Sequence, residues 1–303
     1  MIDFNRLENI CEKYGAEVLK NAPLAPFTTF KIGGPCDFLI RVPNREVLQK
    51  AVLFCKETDT PFYIIGNGSN VLVRDEGIRG VVLHTGWVWE QTSVDDDSGI
   101  IICTAGTELS SLCREARNAS LTGLEFAYGI PGTTGGAIYM NAGAYDGEMS
   151  HVVYEVDYLN ENGEFKTMLC KDTDFDYRKS PFTATEKIIT AAVFKLEQGD
   201  KAQITAKMDD FMERRKTKQP LEFPSAGSTF KRPEGDYASR LIDVCGLKGL
   251  SVGGAEVSKK HAGFIINKGG ASCKDVLNLI ETVKERVFKE TGKLLEREVE
   301  LLG

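Results

Sequence analysis

The sequence predicts an α+β protein, and three patterns carry this prediction. Segments with apolar residues at helical spacing alternate with short runs rich in β-branched and aromatic residues. Glycine-rich loops separate these segments, and the densest holds six glycines in residues 129–147. The chain has 303 residues, whereas a single hydrophobic core stops growing at roughly 250 to 300 residues. We therefore expect two or three domains.

Composition and charge narrow the class of function. Hydrophobic residues make up 42% of the chain and charged residues 27%, which are ordinary values for a globular protein. The net charge of −7 argues against a nucleic-acid or membrane-surface binder, which would present a basic face. Neither a signal segment nor an apolar run of membrane-spanning length is evident. We expect a cytoplasmic protein with no nucleic-acid, membrane or obligatory protein partner.

The eight cysteines do not form the pattern of a metal site or a disulfide framework. The sequence has no C-x-x-C pair and only three histidines. Structural zinc sites need closer ligand spacing, and disulfide frameworks belong to short secreted chains. We predict that the cysteines are small buried hydrophobic residues and that no metal is bound.

The first third of the chain predicts a helix followed by a βαβ unit. Residues 3–20 form the predicted helix, and a strand follows at residues 37–42. Asn44 is a natural N-cap for the next helix, whose apolar residues recur at helical spacing. The apolar run at residues 61–65 is typical of a buried strand. Strand, helix and strand in this order indicate a βαβ unit.

The later elements carry local signals of their own. Ser272 and Asp275 resemble a capping box for the final helix, which Gly292 should end. Other predicted elements include a hairpin of residues 152–159 and 164–169, a strand at 188–196, helices at 203–218 and 237–245, and strands at 263–266 and 295–301.

Two glycine-rich loops have the composition of a phosphate-binding site. Residues 66–70 follow a predicted strand, and residues 129–147 contain no Lys, Arg or Glu and cannot form an ordinary helix. Such loops let the backbone approach a ligand and present N–H groups to an anion. Neither loop matches a Rossmann fingerprint or a P-loop. Tight turns between strands remain the alternative for both.

Three side chains in different parts of the chain are candidates for chemistry. Ser228 lies on a small-residue turn without the context of a hydrolase nucleophile, but its hydroxyl could protonate a carbanion or enolate. Arg178 follows Tyr177 and can bind a carboxylate through two parallel bonds. Glu298 lies in an alternating run with two other glutamates on the same face. The alternatives are a turn residue for Ser228 and a solvated surface residue for Arg178.

A cluster of basic residues ends the helix predicted at residues 203–218. Arg215 and Lys218 belong to this cluster. A cationic C-terminus favoured by the helix dipole is one explanation.

Six pieces of the sequence, taken in order, resemble those of the UDP-N-acetylenolpyruvoylglucosamine reductase (MurB) family. Six motifs in the right order are far more specific than any one of them, and together they cover nearly the whole chain. The short run between Pro181 and Ile188 is similar to the shorter type II form, which lacks a tyrosine-bearing loop over the substrate. The six pieces are Thr28–Gly34, Gly66–Asn70, Gly129–Gly136, Tyr177–Arg178, Ala226–Lys231 and Glu298–Val299.

The resemblance implies a particular domain organisation. An FAD-binding fold of the vanillyl-alcohol-oxidase (PCMH) type would consist of two subdomains, residues 1–80 and 81–200. Residues 296–303 would return to the first subdomain. A third α+β domain, residues 201–295, would bind the substrate.

The resemblance also implies an oxidoreductase of peptidoglycan precursor synthesis, with FAD as cofactor and NADPH as co-substrate. NADPH would reduce FAD, and the flavin N5 would deliver hydride to C3 of the enolpyruvyl group of UDP-N-acetylglucosamine-enolpyruvate. The product would be UDP-N-acetylmuramate. Two alternatives are a PCMH-type oxidase with another substrate and a noncatalytic module that binds a UDP-sugar or nucleotide. No His or Cys motif for covalent flavin attachment is apparent, which argues against the oxidase.

Matching the motifs assigns a role to each candidate residue. Ser228 would donate the proton to C2, while Arg178 and Glu298 would stand beside the substrate's carboxylate and the developing enolate. Glu298 would have to be protonated or bonded through a neutral donor, because an ionised carboxylate repels an enolate. The residues that would contact the substrate are Tyr177, Arg215 and Lys218. The residues that would bind FAD are Gly66, Asn67, Gly68, Ser69, Asn70, Pro131, Gly132, Thr133, Gly135 and Gly136.

Overall fold

The computed structural model describes residues 4–303, which form two compact units. Unit 1 contains residues up to 19, residues 39–67 and residues 81–214, and unit 2 contains residues 20–38, 68–80 and 215–303. The chain therefore passes between the units several times. The predicted division into domains at residues 80, 200 and 295 stays a prediction.

Helices and strands are mixed along the chain, which confirms the predicted α+β class. The described residues contain seven α-helices: α1 (Phe4–Lys13), α2 (Arg45–Glu57), α3 (Leu109–Asn118), α4 (Thr134–Tyr139), α5 (Lys201–Lys218), α6 (Ala238–Val244) and α7 (Cys273–Thr291). They contain eighteen strands: β1 (Glu17–Pro23), β2 (Pro35–Arg41), β3 (Phe62–Ile65), β4 (Val71–Val73), β5 (Ile78–His84), β6 (Thr92–Asp95), β7 (Ile100–Thr104), β8 (Leu121–Thr122), β9 (Gly143–Ala144), β10 (Gly147–Glu148), β11 (Val153–Leu159), β12 (Phe165–Leu169), β13 (Ile188–Lys195), β14 (Glu197–Gln198), β15 (Ser251–Val252), β16 (Ala255–Val257), β17 (Ile265–Asn267) and β18 (Glu300–Leu302).

Unit 1 is built on a five-stranded antiparallel sheet of order β12-β11-β13-β7-β6. The predicted hairpin is confirmed as β11 and β12, whose turn Asn160 closes by accepting from the backbone N–H groups of Asn162 and Glu164. Fully buried residues such as Ile101, Val156 and Phe194 belong to the core of this unit, which also includes residues of α3 and α4. This sheet and its core provide the rigid base for the loops described below.

The predicted βαβ elements are confirmed as β2, α2 and β3, with one difference in the sheet. The side chain of Asn44 accepts a hydrogen bond from Val47 N at 2.9 Å and so caps α2 as expected. The sheet order is β1-β2-β5-β3, and β3 runs parallel to β5. Because β5 lies between β2 and β3, the two strands of the βαβ unit share a sheet without being neighbours.

Unit 2 has a smaller sheet of order β15-β16-β17 and a core formed largely by α6 and α7. The chain end adds β18, which pairs in parallel with β4. Just before β18, the residues around Arg297 form a bridge to Phe230. The segment thus pairs first with Phe230 and then, a few residues later, with β4. The strand predicted at residues 295–301 is therefore wrong in extent, because only β18 forms a regular strand.

The helix predicted at residues 3–20 is also wrong beyond its first part, and residue 3 lies outside the described residues. Helix α1 ends at Lys13, and Gly15 follows with φ +84°, the left-handed conformation that ends many helices. Strand β1 then begins at Glu17. The longer glycine-rich loop contains the short helix α4, so the prediction that it holds no ordinary helix is wrong for six of its residues.

The start of α7 is held by two sets of hydrogen bonds. Ser272 and Asp275 form the predicted capping box, with Asp275 N donating to Ser272 Oγ and Ser272 N to Asp275 Oδ2, each at 3.0 Å. The carboxylate of Asp75 accepts from the N–H groups of Cys273 at 2.7 Å and Lys274 at 3.0 Å. Gly292 ends the helix with φ +69°, also as predicted.

Most cysteines are buried, as the sequence predicts. Six of the eight are buried, Cys170 and Cys245 are half-buried, and none forms a disulfide. Burial raises the pKa of the Cys103 thiol to about 12, and burial likewise raises the pKa of Cys170 to about 11. Thiols held protonated in this way are poor nucleophiles. None of the described helices has the length and apolarity needed to cross a membrane.

We expect Ser272→Ala to lower the free energy of unfolding by about 1 kcal/mol, because it removes the side-chain half of the capping box. Urea unfolding followed by circular dichroism measures this loss. Ser93→Ala is the matched control, since Ser93 is exposed on β6. Equal stabilities for the two variants would show that Asp75 alone suffices to hold the start of α7.

Candidate functional site

The two glycine-rich loops meet in unit 1, where the side chain of Thr133 leaves no room for a Cβ on Gly66. A Cβ on Gly66 would lie 2.2 Å from Thr133 Oγ1, and a Cβ on Gly135 would lie 2.8 Å from the Cβ of Ala105. Real Cβ atoms do not approach other atoms this closely. Gly66 is therefore required by packing between the two loops, and Gly135 by packing of its loop against the residue that follows β7.

Part of the predicted N–H cradle is used by the protein itself. Thr133 has extended backbone and precedes α4. Thr134 N donates to Thr107 O and Gly135 N to Ala105 O, each at 2.8 Å. These bonds fix the start of α4 to the residues that follow β7. Gly136 is exposed, and a Cβ there would meet only Thr133 Oγ1 at 3.5 Å.

Asn67 has a network of partners that the sequence does not reveal. Its Nδ2 donates to Glu108 Oε1 at 3.5 Å, and Trp87 Nε1 donates to the same oxygen at 2.9 Å. Asn67 is only 7% exposed, and its Oδ1 is buried without a hydrogen-bond partner among residues 4–303. A buried acceptor left unpaired is costly, so this oxygen suits a ligand that brings a donor. No residue pattern around Glu108 or Trp87 marked them as candidates.

The second half of the first loop lies in unit 2, where three of the matched motifs come together. Gly68 has φ +60°, and its carbonyl accepts from Thr29 N at 3.2 Å. The hydroxyl of Thr29 donates to the carbonyl of Ser225 at 2.7 Å. A Cβ on Gly68 would lie 2.3 Å from Phe27 O, so glycine is again required.

Ser228 lies in a turn that the backbone holds on both sides. Gly227 before it has φ +74°, and Thr229 after it donates its N–H to Gly263 O at 2.8 Å. The Ser228 hydroxyl is half-buried and donates to Phe230 O at a long 3.3 Å. Among the described residues this hydroxyl has no histidine as a hydrogen-bond partner, so it lacks the adjacent base that activates a serine nucleophile.

Glu298 lies beside this turn, because the residue before it, Arg297, bridges to Phe230. Its backbone N donates to Thr229 O at 2.9 Å, and its carbonyl accepts from Asn70 Nδ2 at 3.4 Å. Asn70, Glu298 and the Ser228 turn, predicted from three distant parts of the sequence, are therefore neighbours in unit 2. Glu298 is half-buried, whereas Glu296 and Glu300 are exposed. This difference in burial distinguishes Glu298 from the other two glutamates, which the alternating sequence pattern alone does not do.

The Tyr177–Arg178 pair lies in a tight turn of unit 1. Arg178 has φ +58°, a region that non-glycine residues rarely occupy and that often marks functional positions. Its guanidinium carbon lies 4.9 Å from the centre of the Tyr177 ring, within the range of a cation–π contact. Tyr177 is 42% exposed. The turn presents the Arg178 guanidinium, which can bind an anionic ligand, beside the ring of Tyr177.

Arg215 and Lys218 differ in their surroundings although both lie in the last turn of α5. Arg215 is 8% exposed and donates from Nη1 to Gln219 Oε1 at 3.4 Å. Lys218 is exposed. The helix dipole favours a cation in the last turn, but it does not explain why the Arg215 side chain is buried.

The fold and the backbone-lined loops define a class of protein. Residues 36–168 match the FAD binding domain family model. A glucose oxidase variant of Phl p 4 covers 66% of this chain with a TM-score of 0.51 and 14% identity, and the chain covers 45% of that structure, which shows likeness of fold alone. The protein is an FAD-binding flavoprotein of the PCMH type.

Closer relatives identify the family. Residues 219–302 match the C-terminal domain of UDP-N-acetylenolpyruvoylglucosamine reductase. The reductase of Clostridium novyi is 46% identical over 303 residues, covering 100% of this chain and 97% of the relative. The crystal structure of the reductase from Thermus caldophilus has a TM-score of 0.78 and 39% identity, covering 95% of this chain and 99% of that one. The chain belongs to the UDP-N-acetylenolpyruvoylglucosamine reductase family, as the six motifs predict.

The residues present fit FAD as the cofactor. Two side-chain-poor loops meet here, and exposed Gly136 has only Thr133 Oγ1 near the place of a Cβ, so a dinucleotide can approach the backbone closely at this position. The orphaned Oδ1 of Asn67 adds an acceptor that the protein leaves unused. These features belong to unit 1, and they agree with the match of the FAD binding domain to residues 36–168.

We expect Gly66→Ala and Gly136→Ala to separate packing from ligand contact. Gly66→Ala forces a Cβ against Thr133, so both the melting temperature without cofactor and FAD binding should fall. Gly136→Ala fits the protein, so the melting temperature should hold while FAD binding weakens. Thermal unfolding of the apoprotein and fluorescence titration with FAD measure the two effects. Unchanged FAD affinity in Gly136→Ala would remove this glycine from the cofactor site.

Proposed function

We propose that this protein reduces UDP-N-acetylenolpyruvoylglucosamine to UDP-N-acetylmuramate with NADPH, a step of peptidoglycan precursor synthesis. It is an FAD-dependent oxidoreductase that acts on a carbon–carbon double bond of a small-molecule UDP-sugar. The observation that carries this assignment is the full-length match to the Clostridium novyi reductase, 46% identical over all 303 residues. We further propose that it works in the cytoplasm without an obligatory protein, nucleic-acid or membrane partner.

The two glycine-rich loops hold the FAD diphosphate in this proposal. When bound, FAD supplies the redox chemistry, by which hydride from NADPH reaches C3 of the enolpyruvyl group. The loops contribute position: their backbone lets the diphosphate approach, and Asn67 Oδ1 accepts a donor from the cofactor. The residues assigned to this role are Gly66 to Asn70 and Pro131 to Gly136. They belong to the proposed subdomains 1–80 and 81–200.

Ser228 protonates C2 of the substrate. Hydride addition at C3 drives negative charge into the neighbouring carboxylate, giving an enolate that must take up one proton. A serine hydroxyl can donate this proton because the enolate is the stronger base. The long 3.3 Å bond from Ser228 to Phe230 O is weak, so the hydroxyl is easily redirected to a better acceptor.

Arg178 stabilises the charge that develops on the substrate's carboxylate. A guanidinium can grip both oxygens, and its attraction grows as charge accumulates in the transition state. Glu298 stands by the same enolate, and it must be protonated or bonded through a neutral donor there. Tyr177, Arg215 and Lys218 contact the substrate, whose remaining contacts come from the proposed domain of residues 201–295.

We expect Ser228→Ala to lower kcat by about 10²- to 10⁴-fold, the usual contribution of a general acid. Reduction of bound FAD by NADPH should be unchanged, because that half-reaction needs no proton at C2. Stopped-flow absorbance of the flavin separates the two half-reactions. Ser225→Ala is the control, because Ser225 engages its neighbours through its carbonyl. Loss of flavin from Ser228→Ala would contradict the assignment, and wild-type protein that binds flavin but oxidises no NADPH with the substrate would contradict the proposed function.

We expect Arg178→Ala to lower kcat/KM by about 10²- to 10³-fold, as loss of a group that stabilises transition-state charge does. Arg178→Lys should recover only a small part, since an ammonium cannot make two parallel bonds to a carboxylate. Steady-state NADPH oxidation with varied substrate measures both variants. FAD content, read from the visible flavin band, should stay at the wild-type level. Full activity in Arg178→Lys would show that charge alone, without fork geometry, suffices.

A further inference from the structure

Asn141 is a fully buried polar residue that the proposed reaction does not use. It follows α4 with φ +42°, a left-handed conformation that asparagine tolerates better than most residues. Its Nδ2 donates to Glu148 Oε1 at 2.8 Å and to the carbonyl of Asp176 at 3.2 Å. Its Oδ1 accepts from Ser150 N at 3.0 Å. Every polar atom of the side chain is thus engaged.

These partners fix the direction of the Asn141 amide. The NH₂ group faces a carboxylate and a carbonyl, which accept only, and the oxygen faces a backbone N–H, which donates only. Glu148 Oε1 also accepts from Ser150 Oγ at 2.7 Å, which holds the carboxylate in place. A flipped amide would set its oxygen against two acceptor oxygens and its NH₂ group against the Ser150 N–H. The site therefore requires a donor at Nδ2.

The carbonyl of Asp176 begins the turn that carries Arg178. Within the turn, Lys179 N donates to Asp176 O at 2.9 Å and Asp176 N donates to Lys179 O at 3.1 Å. Asn141 binds the same carbonyl from outside the turn. Arg178 occupies a positive φ between these bonds, and such strained positions persist only where surrounding contacts enforce them.

The other end of the turn is tied to the same part of unit 1. Ser180 Oγ donates to the carbonyl of Tyr139 at 2.9 Å, and Thr183 Oγ1 donates to that carbonyl at 2.7 Å. Tyr139 is the last residue of α4, and Asn141 lies two residues further on. Both ends of the Arg178 turn are therefore anchored to the C-terminal end of the helix that starts in the second glycine-rich loop.

We propose that Asn141 is a positioning residue, which sets the Arg178 turn at a fixed place relative to α4 and hence to the cofactor loop at its start. It acts through the Asp176 carbonyl and touches neither cofactor nor substrate. Six helical residues span only about 9 Å, so α4 is a short rigid connector. This inference rests on the proposed role of Arg178.

We call the hold of Asn141 on the Asp176 carbonyl the clamp. The pH dependence of Asn141→Asp tests it. The change removes the donor and places a second carboxylate against Glu148. At neutral pH two ionised carboxylates repel, so the turn is released and kcat/KM falls, by about 10- to 100-fold for a displacement near 1 Å. As the pH falls both carboxyl groups become protonated, so that Glu148 donates to the introduced carboxyl group at position 141, that group donates to the Asp176 carbonyl, and the deficit relative to wild type shrinks. Glu148, His151 and Asp172 have side-chain atoms within 4.8 Å of one another and are present in every variant at residue 141. Asn141→Ala adds no titratable group to them, so its deficit relative to wild type should stay constant with pH.

Asn160→Asp is a matched control for the substitution. Asn160 Nδ2 also faces a carboxylate, Glu164 Oε2 at 3.2 Å, but in the exposed turn between β11 and β12. Its kcat/KM profile should follow the wild type. If Asn141→Asp lost activity equally at every pH, or if Asn160→Asp showed the same recovery, the clamp would be refuted.

Limited proteolysis gives a second readout that does not depend on catalysis. Trypsin cleaves after Arg178 and Lys179, so a released turn should be cut faster in Asn141→Asp at neutral pH than at lower pH, with trypsin activity normalised on a peptide. If the wild type showed no reductase activity while this cleavage pattern held, the proposed function would fail and the clamp would stand. Wild-type activity with unchanged cleavage in the variant would overturn the clamp alone.

If Asn141→Asp fails to fold, the double variant Asn141→Asp, Glu148→Gln keeps the test open. The glutamine restores a donor between residues 141 and 148 and removes the repulsion, but Asp176 O still lacks its outside donor. The melting temperature should recover toward wild type while kcat/KM stays low. Recovery of both would place the effect in the 141–148 contact and overturn the role of the Asp176 carbonyl.

Discussion

The contact between Gly66 and Thr133 is the constraint on which the candidate cofactor site depends. The chain leaves β3 and reaches Thr133 Oγ1 so closely that even a methyl group would collide with it. The two loops, from distant parts of the sequence, can only meet in this way if the first presents backbone to the Thr133 side chain. A surface made of backbone suits a diphosphate, because N–H groups supply the bonds and no side chain holds the ligand away. Glycine here serves protein packing and ligand approach at once.

The same loop is tied to the central sheet of unit 1. Thr134 and Gly135 use their N–H groups on Thr107 and Ala105, just beyond β7, so α4 is fixed to the end of a core strand. The far end of α4 holds the Arg178 turn through Tyr139 and Asn141. The second glycine-rich loop and Arg178, which is assigned to substrate binding, are thus both positioned by α4. Positions that share a rigid support keep their spacing, and catalysis by orientation requires such spacing.

The sequence predicted those features that depend on neighbours in the chain. The caps at Asn44 and Ser272 are local, because a cap bonds to a residue three positions away. The second support of α7 could not be predicted, since Asp75 lies 198 residues before Cys273. Glu108 and Asn141 were missed for the same reason: each is defined by partners that the fold brings together. The helix predicted at residues 3–20 failed because apolar spacing continued past Gly15, where the backbone turns.

Two of the chain's three histidines are poor proton donors near pH 7, which agrees with a serine in the proposed proton transfer. Burial lowers the pKa of His84 to about 4, with the charge of Arg41 acting in the same direction, and burial also lowers the pKa of His261. Such imidazoles stay neutral near pH 7 and supply no ready proton. A hydroxyl carries its proton at every pH below its own high pKa and needs no partner to load it. Ser228 is therefore ready to donate whenever a sufficiently strong base forms beside it, and an enolate is such a base.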